Sequence, residues 1–296
     1  MRHSSWITIP VAALVVLASL AHADDVRIGI SSGASNRMPI QCAPFAPAGD
    51  KDAKASSVQA DEVLIADLTA SAVFAVARPS DPIAVGAQPQ AEVSGRWTVH
   101  GNEVVLSGTV LELPGRKSVL ASEYKGTRTE WRALVHRFAD DVVKQFTGES
   151  GIAGTRIAFV VQEGRSRELW VMDADGANAH PITQDHSLVM SPAWSPDGAL
   201  LLFTSYRGGG PQLWVLPQAG GRPALVSGRR GINSSGRYSP DGQHIACSLS
   251  QDGNAEVYVL DARGGSPQRL TNSRGVGTSQ ADKLAATEKW LNRFEV

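Results

Sequence analysis

A repeat of 44 residues constrains the fold of this chain more than any other feature of its sequence. An aromatic residue recurs at Trp170, Trp214 and Tyr258, each time within an apolar run long enough for a buried strand. Two further sets of runs keep the same step along the chain; they occupy 156–161, 200–205 and 244–249, and then 181–183, 225–227 and 269–271. Fixed periods of this length are typical of the blades of β-propellers.

The turns between the runs repeat as well. Trp194-Ser-Pro-Asp-Gly198 returns as Tyr238-Ser-Pro-Asp-Gly242, with a proline that presets φ and a glycine that can take positive φ. Four strands fit into one period, and a unit that is apolar on both faces needs a neighbour on each side, which a radial array of blades supplies. An open sandwich of short strands is the alternative, but the constant period favours the propeller.

At these residues the chain resembles the TolB family, the periplasmic component of the Tol-Pal system. Its blade signature is similar to that of TolB-type propellers, which also occur in some peptidases and hydrolases. Two segments point to TolB itself: the junction 154–160, which follows a helix ending near Gly148, and an N-terminal half with matching runs at 26–30, 38–45 and 66–68. The resemblance covers about residues 24–279.

The sequence predicts an α+β N-terminal domain followed by an incomplete TolB-type β-propeller of antiparallel four-stranded units. In the α+β part we expect a strand over 37–46, a helix over 55–72 capped by Ser56 or Ser57, and strands over 74–77, 104–110 and 118–124. A second helix over 129–146 carries one apolar stripe, and Gly148 is suited to cap its end. The predicted domain divisions are a signal peptide 1–23, an α+β domain 24–147, a linker 148–154 whose glycines permit movement, propeller repeats 155–279, and a helical tail 280–296.

The first segment is typical of an export signal. An apolar run follows Arg2, and Ala21-His-Ala23 is a small-x-small cleavage site at Ala21 and Ala23. Together with the resemblance, export predicts a periplasmic chain that is peripheral to membranes only through its partners; an uncleaved anchor is the alternative.

The repeat stops short of a full ring. TolB propellers have six blades, and the resemblance implies that the extreme C-terminus supplies the first strand of the first blade. Here about three blades are encoded. Asp282 stands 44 residues after Tyr238, where the next aromatic residue before a Ser-Pro-Asp-Gly turn is due. We expect either a truncation or reading-frame change, or a short variant whose tail covers the open edge or which pairs with a second copy.

Composition and motifs exclude several classes of function. A net charge of −1 gives no support for nucleic-acid binding. Neither a nucleophile elbow, a zinc-protease helix nor a phosphate loop is present, so no catalytic residue and no cofactor are predicted. Asp197 and Asp241 each lie in a Ser-Pro-Asp-Gly turn, and the turn explains their positions better than an acid–base role does. Cys42 and Cys247 are expected to be buried free thiols rather than a bridge, and no metal site is predicted.

The resemblance also implies two sets of partner-binding residues. In TolB the mature N-terminus engages TolA, and the mouth of the propeller channel receives Pal, the peptidoglycan-associated lipoprotein. The TolA-like positions are Asp24, Asp25, Val26, Arg27, Ile28 and Ile30. The Pal-like positions are His186, Ser187, Leu188, Arg229, Arg230, Ile232 and Asn233. A departure from the family pattern, Ser235-Gly-Arg-Tyr238 in place of Ala-Pro-Ala-Phe, lies beside the second set.

The resulting hypothesis is a non-enzymatic periplasmic adaptor that contributes to outer-membrane integrity and cell division by binding Pal and TolA. The alternatives are the propeller fragment of a TolB-like peptidase or hydrolase, and a fragment without function.

Overall fold

The computed structural model describes residues 37–81, 88–113 and 115–272. The expected signal peptide with its cleavage site, the TolA-like segment 24–30 and the tail 280–296 lie outside the described residues.

The N-terminal part is an α+β layer in which two helices cover one six-stranded sheet. Its elements are β1 (Met38–Cys42), β2 (Ala46–Gly49), α1 (Ala53–Ala70), β3 (Phe74–Ala77), β4 (Ala91–His100), β5 (Glu103–Glu112), β6 (Lys117–Thr127) and α2 (Trp131–Thr147). The strand order is β3-β1-β4-β5-β6, with β2 also pairing with β4. β1 is parallel to β3 and β4, whereas β4, β5 and β6 form an antiparallel meander.

The prediction of a single strand over 37–46 was wrong, because the chain divides into β1 and β2. Pro44 has no N–H to give to a ladder, and the amide of Phe45 leaves the sheet to donate to Asp61 Oδ1 at 2.9 Å. The expectations also missed β4, although it alternates buried Ala91, Val93 and then Trp97 in the manner of a half-buried strand.

Helix α1 forms where it was predicted, but its start differs from the prediction. Asp52 is the N-cap residue, while Ser56 and Ser57 lie inside the helix. The Ser56 hydroxyl donates back to the carbonyl of Asp52 at 3.1 Å and accepts from Trp97 Nε1 at 3.0 Å. Val58 of this helix is 53% exposed.

Helix α2 confirms the apolar stripe, which packs on β5 and β6. Phe138 lies directly over Gly108, so closely that a Cβ at Gly108 would come within 2.5 Å of the ring. The helix ends as expected at Gly148, which has a φ of 82° and donates its amide to the carbonyl of Lys144 at 2.9 Å.

Three antiparallel sheets follow and confirm the propeller-type repeat. The first contains β7 (Arg156–Glu163), β8 (Ser166–Asp173) and β9 (His180–Pro181); the second contains β10 (Val189–Trp194), β11 (Leu200–Ser205), β12 (Gln212–Pro217) and β13 (Ala224–Ser227); the third contains β14 (Asn233–Tyr238), β15 (His244–Leu249), β16 (Glu256–Asp261) and β17 (Gln268–Arg269). Each sheet is ordered as its strands occur in the chain.

The repeat extends to register and backbone conformation. The recurring aromatic pairs with Phe159, Phe203 or Cys247 on the preceding strand in the three sheets. The register of β10 with β11 and of β14 with β15 shifts at the same place, where Ser191 and Ser235 have φ of 54° and 56°. This bulge therefore belongs to the repeating unit.

The sheets stack on each other through buried side chains. Leu169 and Val171 of the first sheet pack with Leu201 and Phe203 of the second. The second and third sheets share another cluster, which contains Leu202, Leu213, Ile245, Cys247, Leu249, Tyr258 and Leu260. Face-to-face burial of this kind is what blade packing requires.

The glycine-rich segment after α2, which was expected to permit movement, is hydrogen-bonded to that helix. Asp140 on α2 accepts hydrogen bonds from the amides of Ala153 at 2.7 Å and Gly154 at 2.9 Å. Gly151 approaches the same side chain so closely that a Cβ would lie 2.3 Å from Asp140 Oδ1. The glycines serve close approach to this carboxylate.

Neither of the described helices combines the length and the apolar character needed to cross a bilayer.

Candidate functional site: the loop edge of the propeller sheets

Strand direction brings two kinds of connection to the same end of the sheets. The connections between sheets occupy 184–188 and 228–232. Each meets the turn between the second and third strands of the sheet that follows it, at 206–211 and 250–255 respectively. Tyr206 donates its amide to the carbonyl of Leu188 at 3.0 Å, and Ser250 donates to the carbonyl of Ile232 at 3.1 Å. We call these four segments the loop edge.

A buried carboxylate organises the first of these loops. Glu168, on β8, is 2% exposed. Its two oxygens accept the hydroxyl of Thr183 at 2.6 Å and the amides of Asp185 at 2.9 Å and His186 at 2.7 Å. Because His186 has a φ of 49°, the chain turns sharply and presents consecutive amides to one anion.

An ion pair ties the same loop to the neighbouring turn. The side chain of Asp185 is fully buried, accepts the hydroxyl of Ser205 at 2.6 Å, and binds the guanidinium of Arg207. Arg207 also lies over the ring of Trp214 at 5.0 Å from its centroid. Burial lowers the pKa of Arg207, and the carboxylate of Glu168 opposes that shift.

The backbone of the second loop is also bound by a buried acceptor, but a different residue supplies it. Gln212 stands at the repeat position of Glu168, and Asn233 takes over the acceptor role. Asn233 Oδ1 accepts the hydroxyl of Ser227 at 2.7 Å and the amide of Arg229 at 2.9 Å, while its Nδ2 donates to the carbonyl of Arg229 at 2.7 Å. Both loops therefore close around one buried acceptor.

All the Pal-like positions lie on the loop edge or at its base. His186, Leu188, Arg229, Arg230 and Ile232 are exposed, Ser187 is half-buried, and Asn233 is fully buried. The side chain of Asn233 is hydrogen-bonded within its own loop, so it supports the surface from below and is not exposed on it. The guanidinium of Arg229 also donates to the carbonyl of Gly265 at 2.7 Å.

The sequence expectations missed the polar residues beneath this surface: Glu168, Asp185 and Arg207. One signal for Glu168 was available in the repeat, because Glu256 follows at the same position. Each of these glutamates has a threonine later in its unit, Thr183 or Thr271, whose hydroxyl binds it. Without the fold, nothing in the sequence shows that Asp185 and Arg207 meet.

At the opposite end of the strands, Asp197 and Asp241 serve their turns, as expected. Asp197 accepts the hydroxyl of Ser195 and the amide of Ala199, and Asp241 accepts the hydroxyl of Ser239 and the amide of Gln243. The serine hydroxyl in each turn lowers the pKa of the carboxyl that it binds. Both residues border a cleft of about 630 Å³.

Both cysteines are free and buried, which confirms the expectation for them. Cys42 and Cys247 are each 3% exposed, and burial raises the pKa of each thiol to about 12. Thiols in this condition are poor nucleophiles at neutral pH.

Two protein-family models match the chain. The TolB amino-terminal domain matches residues 26–122, and the TolB beta propeller domain matches residues 143–282. Together these segments take in most of the chain.

Individual proteins agree with the family models. A Tol-Pal system protein TolB from Anaeromyxobacter dehalogenans is 34% identical over 212 residues, covering 66% of this chain and 49% of that protein. A TolB homologue from Chlorobium chlorochromatii is 39% identical over 112 residues, covering 38% of this chain and 26% of that protein. The chain spans about half the length, or less, of these curated relatives.

A solved structure supports the fold. The crystal structure of TolB from Acinetobacter baumannii superposes with a TM-score of 0.69, covering 81% of this chain and 62% of that one. At 20% sequence identity this match supports the architecture alone.

Proposed function

Because the chain belongs to the TolB family, we propose that it is a non-enzymatic periplasmic adaptor of the Tol-Pal system. It binds Pal through the loop edge and TolA through the segment that contains Asp24, Asp25, Val26, Arg27, Ile28 and Ile30. In this role it links an inner-membrane partner to the outer membrane and so supports envelope integrity and cell division.

The observation that carries the Pal half of the proposal is the convergence of His186, Leu188, Arg230 and Ile232 on one edge. Two loops separated by a whole repeat present exposed apolar and cationic side chains at the same end of neighbouring sheets. Rigid backbones beneath them, held by Glu168 and Asn233, reduce the ordering cost of binding. Such a surface suits a protein partner, since arginine is enriched among interface hot spots.

The decisive test is titration of Pal against the purified chain, with a complete TolB as the positive control. Arg230→Glu places the wrong charge at the centre of the loop edge, and we expect Pal binding to weaken about 30-fold, equivalent to roughly 2 kcal/mol. Arg222→Glu is the matched control, because Arg222 is an exposed arginine in the turn at the opposite end of the same sheet. It should bind Pal like the unchanged chain.

Three outcomes contradict the adaptor proposal for this chain. Pal could bind the complete TolB but not the chain, both arginine variants could lose binding equally, or the purified chain could hydrolyse a peptide panel. The TolA half is tested separately by deleting residues 24–30, which should abolish TolA capture and leave Pal affinity unchanged.

A further inference from the structure

The described fold brings a histidine and two aspartates together where the α+β layer meets the first propeller sheet. His136 lies on α2 and is 4% exposed, whereas Asp173 and Asp175 lie at the end of β8 and in the turn that follows it. One possible ligand atom from each of the three residues falls within 4.8 Å of the others.

The histidine is already oriented by a fourth side chain. His136 Nδ1 lies 2.7 Å from Oδ2 of Asp67, a buried residue of α1. In the tautomer that carries its proton on Nδ1, the ring donates to Asp67 and keeps a lone pair on Nε2. Nε2 is also buried, yet it has no hydrogen-bond partner among the described residues. A buried ring nitrogen without a partner is rare enough to require an explanation.

The charges around this nitrogen leave room for one more cation. Four carboxylates lie in or beside the cluster. Asp173 and Asp175 belong to the ligand set, Asp67 interacts with His136, and Asp140 interacts with Asp67. The positive groups are Arg132, which binds Asp175 Oδ2, and Arg156, which lies 3.8 Å from Asp173 Oδ1. With a neutral imidazole, the carboxylates outnumber these two arginines.

The two aspartates retain capacity for a ligand. Asp175 Oδ1 accepts the amide of Ala177 at 3.0 Å, and Asp173 Oδ2 accepts Nδ2 of Asn178 at 2.5 Å. A carboxylate offers about four lone-pair directions, so neither aspartate is saturated by these contacts.

We propose that His136 Nε2 and one carboxylate oxygen each from Asp173 and Asp175 form a binding site for a divalent cation, with zinc the preferred ion. One imidazole and two carboxylates suit zinc better than calcium or magnesium, which favour all-oxygen ligands. Asp67 is a positioning residue, in the manner of the carboxylate that orients a zinc-bound histidine.

The geometry needs only a small adjustment to bind the ion. A tetrahedral zinc at about 2.1 Å from each ligand atom holds the ligand atoms roughly 3.4 Å apart. The three ligand atoms lie within 4.8 Å of one another, so binding the ion requires them to approach by about 1.4 Å at most. Because its ligands come from α2 and from the first sheet, the ion clamps these two elements together.

The proposal is tested on the full chain, purified without a polyhistidine tag and stripped with EDTA. Titration with Co²⁺, a spectroscopic substitute for zinc, should give visible absorption that saturates at one equivalent and is abolished by adding Zn²⁺. Ca²⁺ and Mg²⁺ should not displace it. Asp67→Asn should weaken Zn²⁺ binding 10- to 100-fold, the range typical of a lost orienting partner.

His136→Asn separates the metal site from a purely structural role, because the asparagine amide can still donate to Asp67 while the Nε2 ligand is gone. It should remove the Co²⁺ spectrum while far-UV circular dichroism stays unchanged. His180→Asn is the control, since His180 is an exposed histidine beside the same turn. Absence of a saturable spectrum, or equal loss in both histidine variants, overturns the proposal, and so does persistence of binding in His136→Asn.

Discussion

The loop edge depends on the buried carboxylate of Glu168, and replacing it with glutamine tests that dependence. Glu168→Gln keeps the size and shape of the side chain but converts one accepting oxygen into a donating NH₂ group. The hydroxyl of Thr183 and the amides of Asp185 and His186 then compete for a single oxygen. At least one of the two loop amides is left facing another donor.

The expected loss follows from the contacts. A hydrogen bond to a charged group contributes about 1.5–3 kcal/mol, and a buried donor left without a partner costs about 1–3 kcal/mol. Removing the negative charge also offsets part of this loss, because a buried carboxylate carries its own desolvation cost. We therefore expect the loop 184–188 to open more easily by about 2 kcal/mol, which corresponds to amide exchange roughly 30-fold faster.

Hydrogen–deuterium exchange measured on a peptide spanning 184–188 checks this expectation. Glu163→Gln is the matched control, since Glu163 is an exposed glutamate on β7 and its substitution should leave exchange unchanged. Exchange in Glu168→Gln within threefold of the unchanged chain, or equally fast exchange in the control, refutes the role assigned to this carboxylate.

Three further expectations follow from packing, the segment after α2 and the thiols. Gly108→Ala should destabilise the α+β layer by about 1–3 kcal/mol in urea unfolding followed at 222 nm, and Phe138→Leu in the same chain should recover part of the loss by making room for the added methyl. Asp140→Asn should make protease cleavage within 148–154 about tenfold faster, because the carboxylate holds two of its amides. Cys42 and Cys247 should resist alkylation at pH 8 until the chain is unfolded; because each folded pKa lies above the unfolded value, stability should fall as pH rises from 9 towards 12.

The repeat predicted the propeller sheets well because periodicity records a constraint that every unit shares. Each aromatic at Trp170, Trp214 and Tyr258 pairs across to the preceding strand in the same register, so one pattern sufficed for three sheets. Helix α2 was predictable for a similar reason, since its apolar stripe matches the helical period and Gly148 ends it.

Features that appear once in the chain were harder to predict. The interruption between β1 and β2 depends on Asp61, a residue of α1 that captures the amide of Phe45 across the fold. Ser56 resembles a helix cap in sequence, but its hydroxyl is used by Trp97 on β4. In both cases a distant partner overrides the local preference, and no single window of sequence contains both members.

The candidate site lies where the repeat changes, and this indicates how the fold accommodates function. Each of the two described inter-sheet loops closes over a buried polar acceptor, because the turning backbone leaves amides that would otherwise have no partner. The first unit uses Glu168, whereas the second carries Gln212 at that position and uses Asn233 from the following strand. A neutral acceptor replaces a carboxylate, and the loop above it carries Arg229 and Arg230. The repeat thus keeps a buried hydrogen-bond acceptor under each of these loops, while the charge of the loop differs. A partner can recognise that difference in charge.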